Sequence, residues 1–72
     1  MPFVSSYQPV SSSNLEAVRY FGGNLYIRFH GGREYQYFSV PLDVFVDLMN
    51  AASKGKYHDQ VIKHSYAYKR LA

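Results

Sequence analysis

The chain has 72 residues, no cysteine and a formal net charge of +3 at pH 7. This length allows one domain, and a chain of this size buries only about 60% of its unfolded surface. The absence of cysteine excludes a disulfide framework and a thiolate metal site. Aromatic residues make up 18% of the chain, with eight tyrosines and five phenylalanines. We therefore expect large rings to supply both core and contact surface.

The first thirteen residues are rich in serine and proline, which disfavour regular structure. We predict a flexible N-terminal arm over residues 1–13, ahead of a single α+β domain over residues 14–72. The arm also carries the apolar side chains of Phe3, Tyr7 and Val10. These side chains could instead pair at a sheet edge or dock on a partner, and the alternatives stay open at this point.

No stretch of the sequence has the length or composition of a membrane segment. The first residues contain neither a basic run nor an apolar run, so an ordinary secretory signal is not expected. No apolar run approaches the roughly 20 residues that a membrane span needs. The sequence predicts a soluble protein of the cytoplasm with no membrane partner.

Three short segments predict an antiparallel sheet. They cover residues 15–21, 25–30 and 35–38, and the second alternates clearly, with Leu25, Ile27 and Phe29 on one side. Gly-Gly pairs separate the segments, and glycine adopts the positive φ of tight hairpin turns without a steric clash. The pattern predicts a three-stranded β-meander.

Two helices are predicted after the sheet. A helix over residues 41–53 would place Val44, Phe45, Leu48 and Ala52 on one face, with Gly55 as its stop signal. A shorter helix is expected over residues 58–64, with Val61 and Ile62 turned inward. Residues 66–71 are too short to assign. The fold class is therefore α+β, in the order β-β-β-α-α, with the first helix lying across the apolar face of the sheet.

Charge is concentrated at the C-terminal end. Residues 1–53 hold three arginines against four carboxylates, for a net charge of −1. Residues 54–72 hold five cations against one carboxylate, for a net charge of +4. This basic segment comprises Lys54, Lys56, Lys63, Lys69 and Arg70. Such a segment favours phosphates or an acidic protein face, although a cation near a helix C-terminus is also favourable in itself, which would account for Lys54 without a ligand.

The side chains that could carry chemistry do not form a recognisable catalytic set. His58 and His64 are six positions apart, which is not the spacing of helical metal ligands, and His30 has no acidic neighbour at ligand spacing. All three histidines are predicted to be surface residues. The serines cluster in the arm, where no base could orient them. We expect no catalytic residue, no metal and no cofactor.

Tyr35 and Tyr37 are two positions apart on a strand and share one face. We predict that both rings complete the core beneath the helix, because thirteen aromatic side chains cannot all be exposed on a soluble domain. The alternative is that both are exposed and stack on nucleic-acid bases.

Several of these residues together resemble the KTSC domain, which is named for its place at the C-terminus of some lysyl-tRNA synthetases. The resemblance covers residues 10–71 and is carried by Ser12-Ser13, Leu15, Tyr20, Tyr35-Gln36-Tyr37, Val40-Pro41, the run from Ala52 to Tyr57, Ile62 and Tyr66. His58-Asp59 departs from the Phe-Asn that usually follows Gly-Lys-Tyr. The resemblance implies a β-β-β-α(α) fold, and RNA binding is the function usually suggested for the family.

The size, the single domain and the short basic tail are also similar to small proteins of Xanthomonas phages that inhibit the host RNA polymerase. An apolar arm beside a basic C-terminal end, on a domain without catalytic groups, agrees with this similarity, and we predict a monomeric, non-enzymatic transcription regulator that binds bacterial RNA polymerase. The contact would use Phe3, Tyr7 and Val10 of the arm together with the basic segment. The alternative is an RNA- or tRNA-binding accessory module that uses the basic segment on phosphates.

Overall fold

One antiparallel sheet organises the molecule. The computed structural model describes the backbone of residues 4–72 and the side chains of residues 6–72. Each strand pairs with the next along the chain, so the sheet is a meander in the order β1-β2-β3-β4-β5. The strands are β1 (Val4–Pro9), β2 (Leu15–Phe21), β3 (Asn24–Phe29), β4 (Glu34–Tyr37) and β5 (Tyr68–Arg70). The helices, α1 (Leu42–Asn50) and α2 (Lys54–Tyr57), lie between β4 and β5, and α2 continues into a π-helical turn (His58–Ile62).

The predicted α+β class, the antiparallel sheet and the two helices are confirmed, but the predicted number of three strands is wrong. The three predicted strands form the centre of the sheet as β2, β3 and β4. β1 lies within the segment predicted as an arm and pairs with β2, with a bulge between Val4 and Gln8. β5 pairs with β4 and covers only three residues. Neither edge strand shows a period-2 apolar pattern long enough to identify it from sequence, because pairing with a neighbour determines its conformation.

The two Gly-Gly turns have the predicted conformation. Gly22 and Gly23 have φ values of 60° and 78°, and they join β2 to β3. Gly31 and Gly32 have φ values of 98° and 95° between β3 and β4. These left-handed conformations are readily accessible to glycine and set the register of the hairpins.

The helical region differs from its predicted boundaries. α1 ends at Asn50, so Ala52 is exposed and lies outside the helix. Gly55 is not a helix stop but lies in the first turn of α2, where an added Cβ would approach the Cβ of Asn14 to 3.3 Å. Glycine therefore permits the close approach of α2 to the start of β2. Because a C-terminal stop and a close approach both require glycine, the sequence alone did not distinguish them.

The core lies between the sheet and the helices. Its buried residues come from β2, β3, β4, the segment between β4 and α1, α1 itself and the π-helical turn. They are Leu15, Val18, Leu25, Ile27, Phe29, Tyr37, Val40, Leu48 and Ile62. The predicted inward positions on α1 agree with this arrangement, since Leu48 is fully buried and Val44 and Phe45 pack against the cluster. In the part of the chain that is described, no helix is long and apolar enough to cross a membrane.

Candidate functional site

An open pocket lies where β4, β5 and the π-helical turn meet. Its volume is about 330 Å³. Four aromatic side chains line it, namely Phe29, Tyr35, Tyr37 and Tyr68, together with six polar side chains, namely Asn14, Arg33, His58, Asp59, Lys63 and His64. We call this set the aromatic pocket. It combines flat apolar walls with cations, which is a lining suited to a small planar and negatively charged ligand.

The alternation of side chains along β4 and β5 builds the aromatic wall. Tyr37 is opposite Tyr68 in the strand register, so both rings project from the same face of the sheet, as does Tyr35 two residues away. The ring of Tyr68 is tilted against Tyr35 at 5.7 Å and against Tyr37 at 5.9 Å between centroids. Tyr68 remains 58% exposed, so much of its ring is open to solvent.

Tyr35 and Tyr37 were predicted to join the core, and the structure confirms this. Tyr37 is buried and Tyr35 is half-buried against the core. The two rings lie 6.4 Å apart and nearly parallel, and the edge of Phe29 meets Tyr35 at 5.8 Å. The same rings therefore belong to the core and to the wall of the aromatic pocket, a combination that the two sequence-based alternatives did not include.

His58 is buried behind this wall, so the prediction that it is a surface residue is wrong. Its Nε2 atom shares a 2.7 Å hydrogen bond with the Tyr37 hydroxyl, and its ring packs edge-on against Phe29. Burial, reinforced by the positive charge of Lys63, lowers the pKa of His58 to about 4. Burial also raises the pKa of Tyr37 to about 12. Both groups are therefore neutral near pH 7. A buried polar group requires such a partner, which is why the pair forms.

Two cations line the aromatic pocket. The guanidinium of Arg33 lies over the ring of Phe29, 5.1 Å from its centroid. The ammonium of Lys63 is 3.5 Å from the carboxylate of Asp59, one helical turn earlier. Both partners of this ion pair are more than half exposed, so the pair contributes little and Lys63 can exchange Asp59 for another anion.

The other predicted cations lie in several places. Lys69 and Arg70 are adjacent in β5, so they project from opposite faces of the sheet, with Arg70 opposite Tyr35 on the side of the aromatic pocket. Lys56 is exposed on α2. Lys54 donates a 3.3 Å hydrogen bond to the carbonyl of Ala51 at the end of α1, which confirms the interpretation of Lys54 as a cation at a helix C-terminus.

A second depression is mainly polar and is formed by Ser11, Ser12, Ser13, Ala52, Ser53 and Lys54. Its best-placed groups are already engaged. The Ser12 hydroxyl accepts hydrogen bonds from the backbone N–H groups of Asn14 and Leu15, and the Ser53 hydroxyl accepts one from Lys56. These contacts stabilise the turn before β2 and the start of α2, so the depression is explained by the fold.

The predicted arm residues pack on their own domain where they are described. Tyr7 lies across the outer face of the sheet, with the Arg28 guanidinium 4.2 Å from its ring centroid. Burial, together with a hydrogen bond to Glu34, raises the pKa of Tyr7 well above its usual value. Val10 is half-buried against the core. Phe3 lies outside the described residues.

The outer face of the sheet carries a second pairing of arginine with aromatic rings. The guanidinium of Arg19 lies 4.3 Å from the ring centroid of Tyr26 and 5.7 Å from that of Phe21. Within the described residues, the buried Nε of Arg19 has no hydrogen-bond partner.

Sequence reasoning missed seven of the residues that form the aromatic pocket: Asn14, Phe29, Arg33, His58, Asp59, His64 and Tyr68. The one available signal was the spacing of Tyr66, Tyr68 and Arg70, which is the period of a strand. Across residues 4–72, no group of three or more His, Cys, Asp or Glu side chains is placed to hold a metal ion.

Comparison with known proteins places the chain in a family. A crystal structure of a KTSC domain protein from Yersinia pestis matches with a TM-score of 0.85 and 36% identity, covering 93% of this chain and 97% of that one. A protein of Tsukamurella paurometabola is 43% identical over 58 residues, which is 78% of this chain and 87% of the relative. A lysine–tRNA ligase of Trichormus variabilis is 44% identical over 48 residues, which is 67% of this chain but only 9% of the ligase.

The match to the family itself covers most of the chain. The model of the KTSC domain matches residues 11–66, from the turn before β2 to the segment that follows the π-helical turn. The resemblance noted from the sequence is thereby confirmed. The chain belongs to the KTSC domain family.

Proposed function

We propose that this protein is a non-enzymatic RNA-binding module whose contact surface is the aromatic pocket together with the pocket-facing side of β5. The single observation that carries the proposal is the meeting of exposed aromatic surface with cations at one end of the sheet. Proteins that bind single-stranded nucleic acid combine these two features, because cations contact the phosphates while aromatic rings stack on the bases.

The charge around the aromatic pocket supports contact with phosphates. Arg33 and Lys63 line it, and Arg70 projects from the same side of the sheet. Asp59 is the one carboxylate among the pocket-lining residues, and it is exposed and paired with Lys63. The balance is positive, as expected for a surface that attracts a polyanion.

The relatives support RNA as the class of partner. Lysine–tRNA ligases, by their name, act on a tRNA, and three of them carry a stretch that is 42–44% identical to 48 residues of this chain. The matching stretch makes up only 9% of a ligase but 87% of the relative from Tsukamurella paurometabola. A domain that occurs in both settings is suited to an accessory binding role. On this proposal, the shared role is contact with RNA.

The geometry of His58 and Tyr37 favours binding over catalysis. A general base needs a pKa near the working pH, whereas the pKa of His58 is lowered to about 4. The Tyr37 hydroxyl, with its pKa raised to about 12, is a poor proton donor at neutral pH. Both groups are buried and bonded to each other, so their role is to hold the wall of the aromatic pocket in place.

Fluorescence anisotropy with a labelled single-stranded RNA tests this proposal. We expect affinity to fall steeply between about 50 and 200 mM salt, with a log–log slope of about −0.7 for each phosphate neutralised. Arg33→Gln should weaken binding and make the slope shallower, whereas Lys56→Gln, at an exposed position of α2 outside the aromatic pocket, should change neither. Absence of RNA binding at the lowest salt concentration would contradict the proposal, as would equal effects of the two variants.

Binding to bacterial RNA polymerase remains the second candidate, and one observation favours it. β1 is an outermost strand of the sheet, so its free edge could pair with a strand of a partner. The engagement of Tyr7 and Val10 within the domain leaves less apolar surface for that contact than the sequence indicated. A pull-down from bacterial lysate with the tagged protein would test it, and recovery of no polymerase subunit would end it.

A further inference from the structure

We infer that the aromatic pocket holds one nucleoside monophosphate unit, with the base against Tyr68 and the phosphate on Arg33 and Lys63. This inference rests on the proposed function, because it specifies what part of an RNA enters the aromatic pocket. The same unit could also be a free nucleotide, and the experiment below separates the two sources.

The size of the aromatic pocket limits the ligand to one such unit. Its volume of about 330 Å³ lies near the lower end of the range for small-ligand sites, which is about 300–1,000 Å³. A base that enters it must leave the stack of its neighbours, so a paired helical base is excluded. The unit therefore comes from an unpaired stretch or from solution.

The ring of Tyr68 supplies the surface on which the base stacks. It is 58% exposed, although it is held from behind by contacts with Tyr35 and Tyr37. A ring that is fixed in the strand register and still exposed loses little conformational freedom when a base stacks on it. Stacking accepts every base, since each base has a π face.

The two cations of the aromatic pocket supply the phosphate contact. Arg33 presents a guanidinium, whose planar fork bonds phosphate oxygens in pairs, and its stacking on Phe29 restrains its position. Lys63 lies in the turn that follows the π-helical segment, and among the described residues its ion-pair partner is the exposed Asp59. The aromatic pocket brings two cations and an exposed ring together around one small concave site.

The first arm of the test uses small probes and the full chain. Proton–nitrogen NMR spectra are recorded while the labelled protein is titrated with adenosine 5′-monophosphate and, separately, with ribose 5-phosphate. We expect the nucleotide to shift the amide signals of Lys63, His64 and Tyr68, and to bind about tenfold more tightly or better than the sugar phosphate, because of stacking. Equal binding of the two probes would overturn the inference, and so would shifts confined to residues outside the aromatic pocket.

Variants connect the binding to the stacking surface. Tyr68→Ala should weaken nucleotide binding about tenfold, whereas Tyr68→Phe should retain it because the π face is kept. Phe21→Ala removes another exposed ring, on the opposite face of the sheet, and should leave nucleotide binding unchanged. An unaltered affinity of a folded Tyr68→Ala protein would overturn the placement of the base.

The second arm separates this inference from the proposed function. A short single-stranded RNA is compared with an oligomer of the same length that lacks the bases. Tighter binding of the intact RNA than of either the abasic oligomer or the mononucleotide supports both proposals. Equal binding of intact and abasic oligomers would overturn the inference, whereas RNA binding through contacts of the cations with phosphates would stand. Nucleotide binding in the aromatic pocket without RNA binding would identify a free nucleotide as the ligand and overturn the proposed function instead.

Discussion

The helix-covered half of the sheet and its open half use the same face of the same strands in different ways. Under the helices, Leu25 and Ile27 of β3 meet Leu48 of α1 and Ile62 of the π-helical turn, and all four side chains are fully buried. Towards β5, the face is lined by tyrosines, and Tyr68 is more than half exposed. All three residues of β5 are exposed, so this part of the sheet has no complete cover.

The two halves accordingly differ in side-chain chemistry. Aliphatic side chains are stabilised by removal from water and by close packing, and the fully buried ones lie where the cover is complete. Tyrosine has an apolar ring and a polar hydroxyl, so it is suited to positions where one face of the ring packs on the core and the other contacts solvent. Stability should therefore depend mainly on the covered half, and binding mainly on the open half.

The largest effect on stability is expected for Leu48→Ala, in the covered half. Truncation of a fully buried leucine should lower the free energy of unfolding by about 2–5 kcal/mol, because the cavity at the base of α1 cannot fully collapse. Urea unfolding followed by circular dichroism measures the loss. Val46→Ala, at an exposed position of the same helix, should stay within about 0.5 kcal/mol of the parent. Comparable losses in the two variants would contradict the assignment of the covered half.

The pH dependence of stability tests the boundary between the two halves, where His58 lies. Burial lowers the pKa of His58 from 6.5 to about 4. Between these two pH values the unfolded chain therefore binds a proton at His58 that the folded chain does not bind. The contribution of neutral, buried His58 to stability is complete above pH 6.5, its pKa in the unfolded chain, and is lost as the pH falls towards 4. Between pH 7 and pH 5 we expect a loss of about 2 kcal/mol in the free energy of unfolding.

His58→Gln provides the control for this measurement, since the carboxylates of the chain titrate in both proteins. The difference between the two pH profiles isolates His58. Parallel profiles between pH 5 and pH 7 would show that His58 titrates alike in the folded and unfolded chains, contrary to its burial.

Ser53→Ala tests how α2 connects the two halves. Its hydroxyl accepts a hydrogen bond from the Lys56 N–H at the start of α2, which leads into the wall of the aromatic pocket. Loss of this cap should cost about 1 kcal/mol. Ser13→Ala, in the nearby turn, should cost less because the Ser13 side chain has no such role. Urea unfolding of both variants measures the two losses in the free energy of unfolding.

The smallest effect on stability is expected for Lys63→Gln, in the open half. Its exposed ion pair with Asp59 is worth about 0–1 kcal/mol, so unfolding should change little. Its effect should appear in RNA binding, where the log–log salt slope becomes shallower by about 0.7. The reverse result, a large loss of stability with an unchanged salt slope, would assign Lys63 to the covered half.

Much of the fold could be predicted because its strongest signals are local. Alternation of Leu25, Ile27 and Phe29, together with the Gly-Gly turns, predicted the central hairpins, and the helical spacing around Leu48 predicted α1. The edge strands carried weaker signals, of which the spacing of Tyr66, Tyr68 and Arg70 was the clearest. β1 and β5 are six and three residues long and form because they pair with a neighbouring strand, so their own sequences are too short to predict them.

The candidate site was less predictable because its residues are distant in sequence. Asn14, Arg33 and Tyr68 come from three separate parts of the chain, and only the closure of the sheet with β5 brings them together. The sequence by itself determined the central strands, the turns, the apolar face of α1 and the basic character of the C-terminal end, since each depends on near neighbours. Only the tertiary structure decided that His58 is buried, that Tyr7 lies on its own sheet, and that the cations of the C-terminal segment lie in different places. Burial and long-range pairing depend on which surfaces meet, and that is a property of the whole fold.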